Sequence, residues 1–138
     1  MKTTVVVIDG MGGGIGVEIV TRLRKELSND INIIALGTNS TATDRMMQAK
    51  ANKGATGENA IRCSINSGDF VLGPIGIVFP DGLMGEVTKE IAGHVMNSHG
   101  IKILIPVNHP HIKIAGINEE GLSGLIEEAV GEIKNHLK

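Results

Sequence analysis

The sequence predicts a three-layer α/β/α sandwich built on a mostly parallel sheet. Short β-branched apolar runs alternate with amphipathic helical stretches along all 138 residues. The first run, Val5-Val6-Val7-Ile8, is continuously apolar, as a strand buried on both faces must be. A glycine cluster then separates that strand from the first helical pattern. Together these indicate one domain spanning residues 1–138, with no repeat, linker or low-complexity tract.

Taken in order, Val5–Ile8 is the first strand. Ile15, Ile19, Leu23 and Leu27 recur every four residues, with charged residues between them, and form an amphipathic helix. Ile31–Leu36 is the second strand, and a helix over about Thr43–Lys50 carries Met46 and Met47. Gly54–Asn59 reads as a polar loop, and Ala60–Cys63 as a short strand. Asp69–Leu72 is a strand ending at Gly73-Pro74, and Ile75–Val78 either extends it or forms a separate piece of strand.

A helix is expected from Asp81-Gly82 to about Asn97, with Met84, Val87, Ile91 and Val95 as its stripe. Ile101–Val107 is the next strand. The short turn Asn108-His109-Pro110 leaves no room for a helical crossover, so the alternating segment His111–Ile117 is expected to return as an antiparallel edge strand. A final helix covers about Glu119–Leu137. The exposed apolar positions Ile112 and Ile114 on that edge predict a homodimer.

Composition excludes several functions. With 13 basic and 15 acidic residues and a formal charge of −2, there is no basic stripe, so no nucleic-acid partner is expected. Tyrosine and tryptophan are absent, which removes tyrosine-based acid catalysis and stacked aromatic platforms. Cys63 is the only cysteine and reads as a small buried apolar residue in preference to a nucleophile. His109 and His111 flank a proline without an evident third ligand, so no metal is expected. No run approaches a membrane span and no secretory signal is evident, so the expected location is the cytoplasm, with no membrane partner.

The chemical signal is concentrated in Asp9-Gly10-Met11-Gly12-Gly13-Gly14-Ile15-Gly16, which holds five of the 19 glycines. Placed between a buried strand and a helix, such a loop aims free amides and the positive end of the helix dipole at the space where α/β sheets bind ligands. Glycines there allow positive φ and keep Cβ atoms away from a phosphate. A small phosphate-bearing ligand is therefore the expected partner. The G-x-x-x-G-x-G spacing of Gly10, Gly14 and Gly16 resembles the nucleotide-binding loop of the short-chain dehydrogenase/reductase superfamily. That likeness implies a dinucleotide cofactor, NADP or NAD.

The second strand ends in Gly37-Thr38-Asn39-Ser40-Thr41, with Arg45 close behind and no acid before Asp44. Donors without an acid suit a 2′-phosphate, and so favour NADP over NAD; the competing reading is that these residues cap the second helix. The reductases with this loop use a Tyr-x-x-x-Lys pair, which this chain lacks. The likeness ends after about the first 45 residues and does not extend to the reaction.

Over nearly its full length the chain resembles a family of short bacterial Rossmann-like proteins of uncharacterised activity. The likeness rests on Val7–Gly10 with the glycine run, Ile34–Ser40, Gly54–Ala60, Gly73–Ile77, Met84–Glu86 and Lys102–Pro106. It implies a Rossmann-like fold and supplies no catalytic residue.

Second candidates are Gly73, Pro74 and Ile75, expected to face the far end of a dinucleotide or whatever substrate sits there, and the loop residues Thr56, Glu58 and Asn59; for both, the competing reading is loop geometry alone. Asp81, Glu86 and Glu58 are the carboxylates expected nearest the cleft, either as a general base or as ordinary helix-dipole partners. Three functions remain open at this point. The first is a sensor or accessory protein that binds a nucleotide or phosphometabolite without chemistry of its own. The second is a small NAD(P)-dependent oxidoreductase or reductase subunit. The third is a structural oligomer with a vestigial loop.

Overall fold

The structure, a computed structural model, describes residues 2–107, 111–117 and 121–137. Five strands form one sheet: β1 Thr3–Asp9, β2 Ile31–Gly37, β3 Lys53–Thr56, β4 Phe70–Pro74 and β5 Ile101–Ile105. Their spatial order is β3-β2-β1-β4-β5, and every pairing is parallel. The helices are α1 Gly14–Leu27, α2 Ser40–Gln48, α3 Glu58–Ser64, α4 Lys89–Met96 and α5 Leu122–His136. The result is a Rossmann-like three-layer fold.

Strand β1 explains the layering. Its side chains alternate, so Val5 and Val7 join Ile33, Leu72, Ile19, Leu23, Met46 and Val130 on the face covered by α1, α2 and α5. Val6 and Ile8 join Leu36, Val71, Ile61, Ile91 and Val95 on the face covered by α3 and α4. Both faces are dry, which is why the strand has no polar alternation. Each fully buried Val or Ile side chain contributes roughly 1.5–3 kcal/mol relative to exposure. At the far end of α1, the Arg24 guanidinium donates to the carbonyls of Ser28 (2.8 Å), Ile31 (3.1 Å) and Lys50 (2.8 Å), tying the helix to the start of β2.

Several sequence expectations change. The antiparallel hairpin is not present: the described part of His111–Ile117 is turn and irregular chain with an isolated bridge at Ile112. Pro106 has no N–H to continue the ladder, and the Val107 N–H folds back onto the Ile105 carbonyl (2.8 Å), so the chain leaves the line of β5. The turn at 108–110 lies outside the described residues, as does 118–120 at the expected start of the last helix.

Second, Gly54–Asn59 is not simply a loop, because Lys53–Thr56 is the edge strand β3, paired with Ile34–Gly37. Third, Ala60–Cys63 is helical within α3: Ile61 and, one residue past the helix end, Ile65 stand four residues apart on the buried face, and Cys63, expected to be buried, is exposed. Ile75–Val78 is a short 3-10 turn instead of strand. Fourth, the helix expected from residue 81 begins only at Lys89. Thr88 caps it by accepting the Ile91 N–H (3.0 Å), while 81–87 forms a separate loop.

Candidate functional site

The glycine loop leaves β1 at its carboxyl end and enters α1 within five residues. Its shape is held by Asp9. This carboxylate is 4% exposed and accepts the amides of Gly10 (2.8 Å) and Gly16 (2.7 Å), clamping both ends of the loop. Inside the clamp, Gly13 N–H donates to the Gly10 carbonyl (2.9 Å), and Met11 and Gly13 sit at φ 51° and 75°. Arg45 donates to the Gly12 carbonyl from α2. Burial pushes the Asp9 carboxyl above the ordinary aspartate range. The Gly16 and Gly10 amides pull it back, nearby Glu86 adds to the rise, and Arg45 opposes it.

The glycines divide into two groups. A Cβ at Gly13 would lie 2.9 Å from the Ala42 Cα, and one at Gly16 would lie 2.6 Å from the Met46 Sδ and 3.0 Å from the Asp9 Cβ. These two serve close packing of loop and helices. At Gly14 a Cβ would meet nothing within 4 Å, and at Gly12 only an Arg45 nitrogen at 3.6 Å. Among the described residues, the amides of Gly12, Gly14 and Ile15 have no protein acceptor. Three donors around a helix N-terminus thus lie on residues that line open space.

That space is a cleft of about 1130 Å³. Residues 9–15 line it together with Pro74 and Ile75 at the end of β4. Its lining also includes Leu83, Pro106, Val107, Ile112, Lys113, Ile114 and Ile117, which sequence reasoning did not place there. Leu122 and Leu125 of α5 also line it, while packing against the core. The apolar alternation at 112, 114 and 117 was visible in the sequence. It marks a cleft wall here, where an edge strand had been expected.

The structure therefore brings Asp9, Gly10, Met11, Gly12, Gly13, Gly14 and Ile15 together with Pro74 and Ile75. Gly16 lies beneath them, and Gly73 packs where a Cβ would be 2.3 Å from the Ile8 carbonyl oxygen. The other candidates lie elsewhere. Asn39 caps α2 by accepting the Ala42 N–H (2.9 Å), and Ser40 and Thr41 are exposed in the first turn. Gly37 leaves room for Thr43. Thr56 donates to Thr43 Oγ1 (2.8 Å), Glu58 accepts from Thr88 (2.6 Å), and Asn59 accepts from Arg62 (2.9 Å). Asp81 is exposed at the foot of its loop.

Glu86 has the least expected position. Its Oε1 accepts from the Thr38 hydroxyl (2.6 Å), the Met11 N–H (2.8 Å) and the Asn39 side-chain amide (2.8 Å). These bonds, led by the Thr38 hydroxyl, hold its carboxyl below the ordinary glutamate range against the opposing effect of burial. Two of the donors expected to meet a ribose or 2′-phosphate, Thr38 and Asn39, are thus engaged by the protein's own carboxylate.

A family model described as "Domain of unknown function (DUF3842)" matches residues 4–138. The chain belongs to this family. No curated protein matches the sequence. Among solved structures, the dodecameric FMN-dependent Ubix-like decarboxylase from Escherichia coli O157:H7 is similar at 15% identity and a TM-score of 0.49, with 99% of this chain and 94% of that chain covered. Among the described residues, no group of His, Cys, Asp and Glu is arranged to hold a metal ion, and no helix is long and apolar enough to cross a membrane.

Proposed function

We propose that this protein binds a phosphate-bearing nucleotide or phosphometabolite as a sensor or accessory protein. The phosphate sits on the Gly12, Gly14 and Ile15 amides, and the body of the ligand lies in the cleft between β1, β4 and residues 106–107 and 112–117. The observation that carries this reading is the set of three amides around the start of α1, Gly12, Gly14 and Ile15, that line the cleft without an acceptor among the described residues, with no Cβ at Gly12 or Gly14. The aliphatic walls suit a ring or other weakly polar body, and Lys113 in the lining adds one positive charge.

NADP and NAD both present a diphosphate suited to this loop. A mononucleotide also fits the reading, because Thr38 and Asn39 at the end of β2 are already engaged by Glu86. The second functional reading is a small NAD(P)-dependent reductase. Asp9 favours it: a buried carboxyl with a raised pKa at the cleft is a candidate proton donor.

A thermal-shift panel of NADPH, NADH, flavin nucleotides, ATP and sugar phosphates tests the binding reading, since a ligand of the native state raises the melting temperature by mass action. At least one member is expected to do so. Gly14→Asp should then weaken that ligand by about 100-fold or more, by placing a carboxylate where charge-assisted bonds to phosphate had formed. The fold should survive, because nothing stands within 4 Å of that Cβ. No shift with any ligand at millimolar concentration, or undiminished binding by Gly14→Asp, refutes the cradle. Hydride-transfer assays with carbonyl substrates separate the two readings.

A further inference from the structure

Glu86 is delivered by an unusual loop. Asp81, Leu83, Met84 and Gly85 have φ of 63°, 53°, 57° and 91°, and three of these four carry side chains that disfavour that region. Asp81 N–H to the Val87 carbonyl (2.7 Å) and Val87 N–H to the Gly82 carbonyl (3.1 Å) close the base of the loop, and Val87 is fully buried. The loop therefore stands as a unit with its foot in the core, while Met84 at its tip is 88% exposed.

The three donors to Glu86 Oε1 all come from outside this loop. Met11 lies on the glycine loop, and Thr38 and Asn39 lie beyond the end of β2. Donors converging from separate segments on one oxygen make a receptor for an anionic oxygen, whichever molecule supplies it. Gly10 leaves the necessary room, since a Cβ there would stand 2.4 Å from Thr38 Oγ1 and 2.9 Å from Glu86 Oε1. The Met11 amide is also the immediate neighbour of the free Gly12 amide, so this receptor adjoins the open cradle.

We infer that Met11, Thr38 and Asn39 form a second anion subsite, that Glu86 is its intramolecular occupant, and that a ligand carrying a second phosphate displaces Glu86. The inference relies on the proposed cradle only for the position of the first phosphate. Glu86 is partly exposed, so rotation about its side-chain bonds carries the carboxylate into water without moving Val87. The consequence is selectivity by competition. A ligand with one phosphate group binds with Glu86 in place. A ligand reaching the end of β2 finds its competent state only when Glu86 is out, and its apparent affinity falls by that fraction.

Residue-resolved amide NMR with inorganic phosphate tests this on wild type, Glu86→Ala and Glu86→Gln. In wild type, phosphate should shift Gly12, Gly14 and Ile15. In Glu86→Ala the Met11 amide and the Asn39 side-chain amide should respond as well, and a dinucleotide with a 2′-phosphate should gain about tenfold over its unphosphorylated counterpart. Glu86→Gln keeps the shape of the occupant without its charge and should show the same response, more weakly. Silence at Met11 and Asn39 in both variants, with the Leu83 and Val87 amide signals unmoved, overturns the inference. So does an equal response at those positions in wild type. A response at Met11 and Asn39 without one at Gly12–Ile15 supports the subsite and refutes the cradle instead.

Discussion

The two sides of the glycine loop are built from the same kind of donor and have opposite fates. Toward β4 and β5, the Gly12, Gly14 and Ile15 amides line a cleft and bond nothing among the described residues. Toward β2, the Met11 amide and the Thr38 and Asn39 side chains are all bonded to one carboxylate oxygen. An unsatisfied donor at the surface keeps water and exchanges it for a ligand readily, whereas a donor satisfied within the chain must first lose its partner. The difference lies in Glu86, which is 75 residues from Met11 in sequence and beside it in space.

The largest expected effect separates the two kinds of glycine. Gly13→Val combines a φ of 75° with a Cβ only 2.9 Å from the Ala42 Cα, and should cost about 3 kcal/mol or more. Gly14→Ala, one residue on and in open space, should change stability by less than about 1 kcal/mol, and in the favourable direction at a helical position. Urea denaturation of the two variants checks the contrast. Equal losses would mean that the loop has no separable open half.

A smaller effect is expected on the closed side. Asn39→Ala removes the α2 cap and one bond to Glu86, and should cost about 1–2 kcal/mol. Its denaturation midpoint should fall by clearly more than that of Ser40→Ala, whose side chain lies exposed in the next position.

The smallest effect is a pair of opposite pH dependences. Asp9 has its folded pKa raised above 3.8, so its contribution to stability is fully present below 3.8 and is lost as pH rises through the folded value. Glu86 has its folded pKa lowered from 4.5, so its contribution is present above 4.5 and is lost as pH falls through the folded value. Subtracting the stability–pH curve of Asp9→Asn from that of wild type should therefore leave a difference falling with pH. The same subtraction for Glu86→Gln should leave one rising with pH. Slopes of the same sign would show that the two carboxylates do not sit in opposed environments.

Legibility followed the range of the interactions. The strand, glycine loop and helix over residues 3–27 were readable because apolar period and turn chemistry are local. The edge strand Lys53–Thr56 carries no apolar pattern, since it is exposed at three of its four residues and is held mainly by its ladder to β2. Residues 81–87 looked helical because Met84, Val87 and Ile91 keep helical spacing, yet Met84 is at the surface and only the last two reach the core. In the cleft, Asp9–Ile15 and Pro74-Ile75 were foreseen from their places after strand ends. The aliphatic lining at 106–107 and 112–117 and the engagement of Thr38 by Glu86 were not.

By itself, the sequence determined the layered parallel fold, the direction of the glycine loop and the absence of tyrosine chemistry, because these depend on composition and on neighbours a few residues apart. Tertiary structure alone decided which donors the protein keeps for itself and which it leaves open. That outcome depends on where a distant carboxylate arrives once β1, β2 and the loop before α4 have packed around a common core.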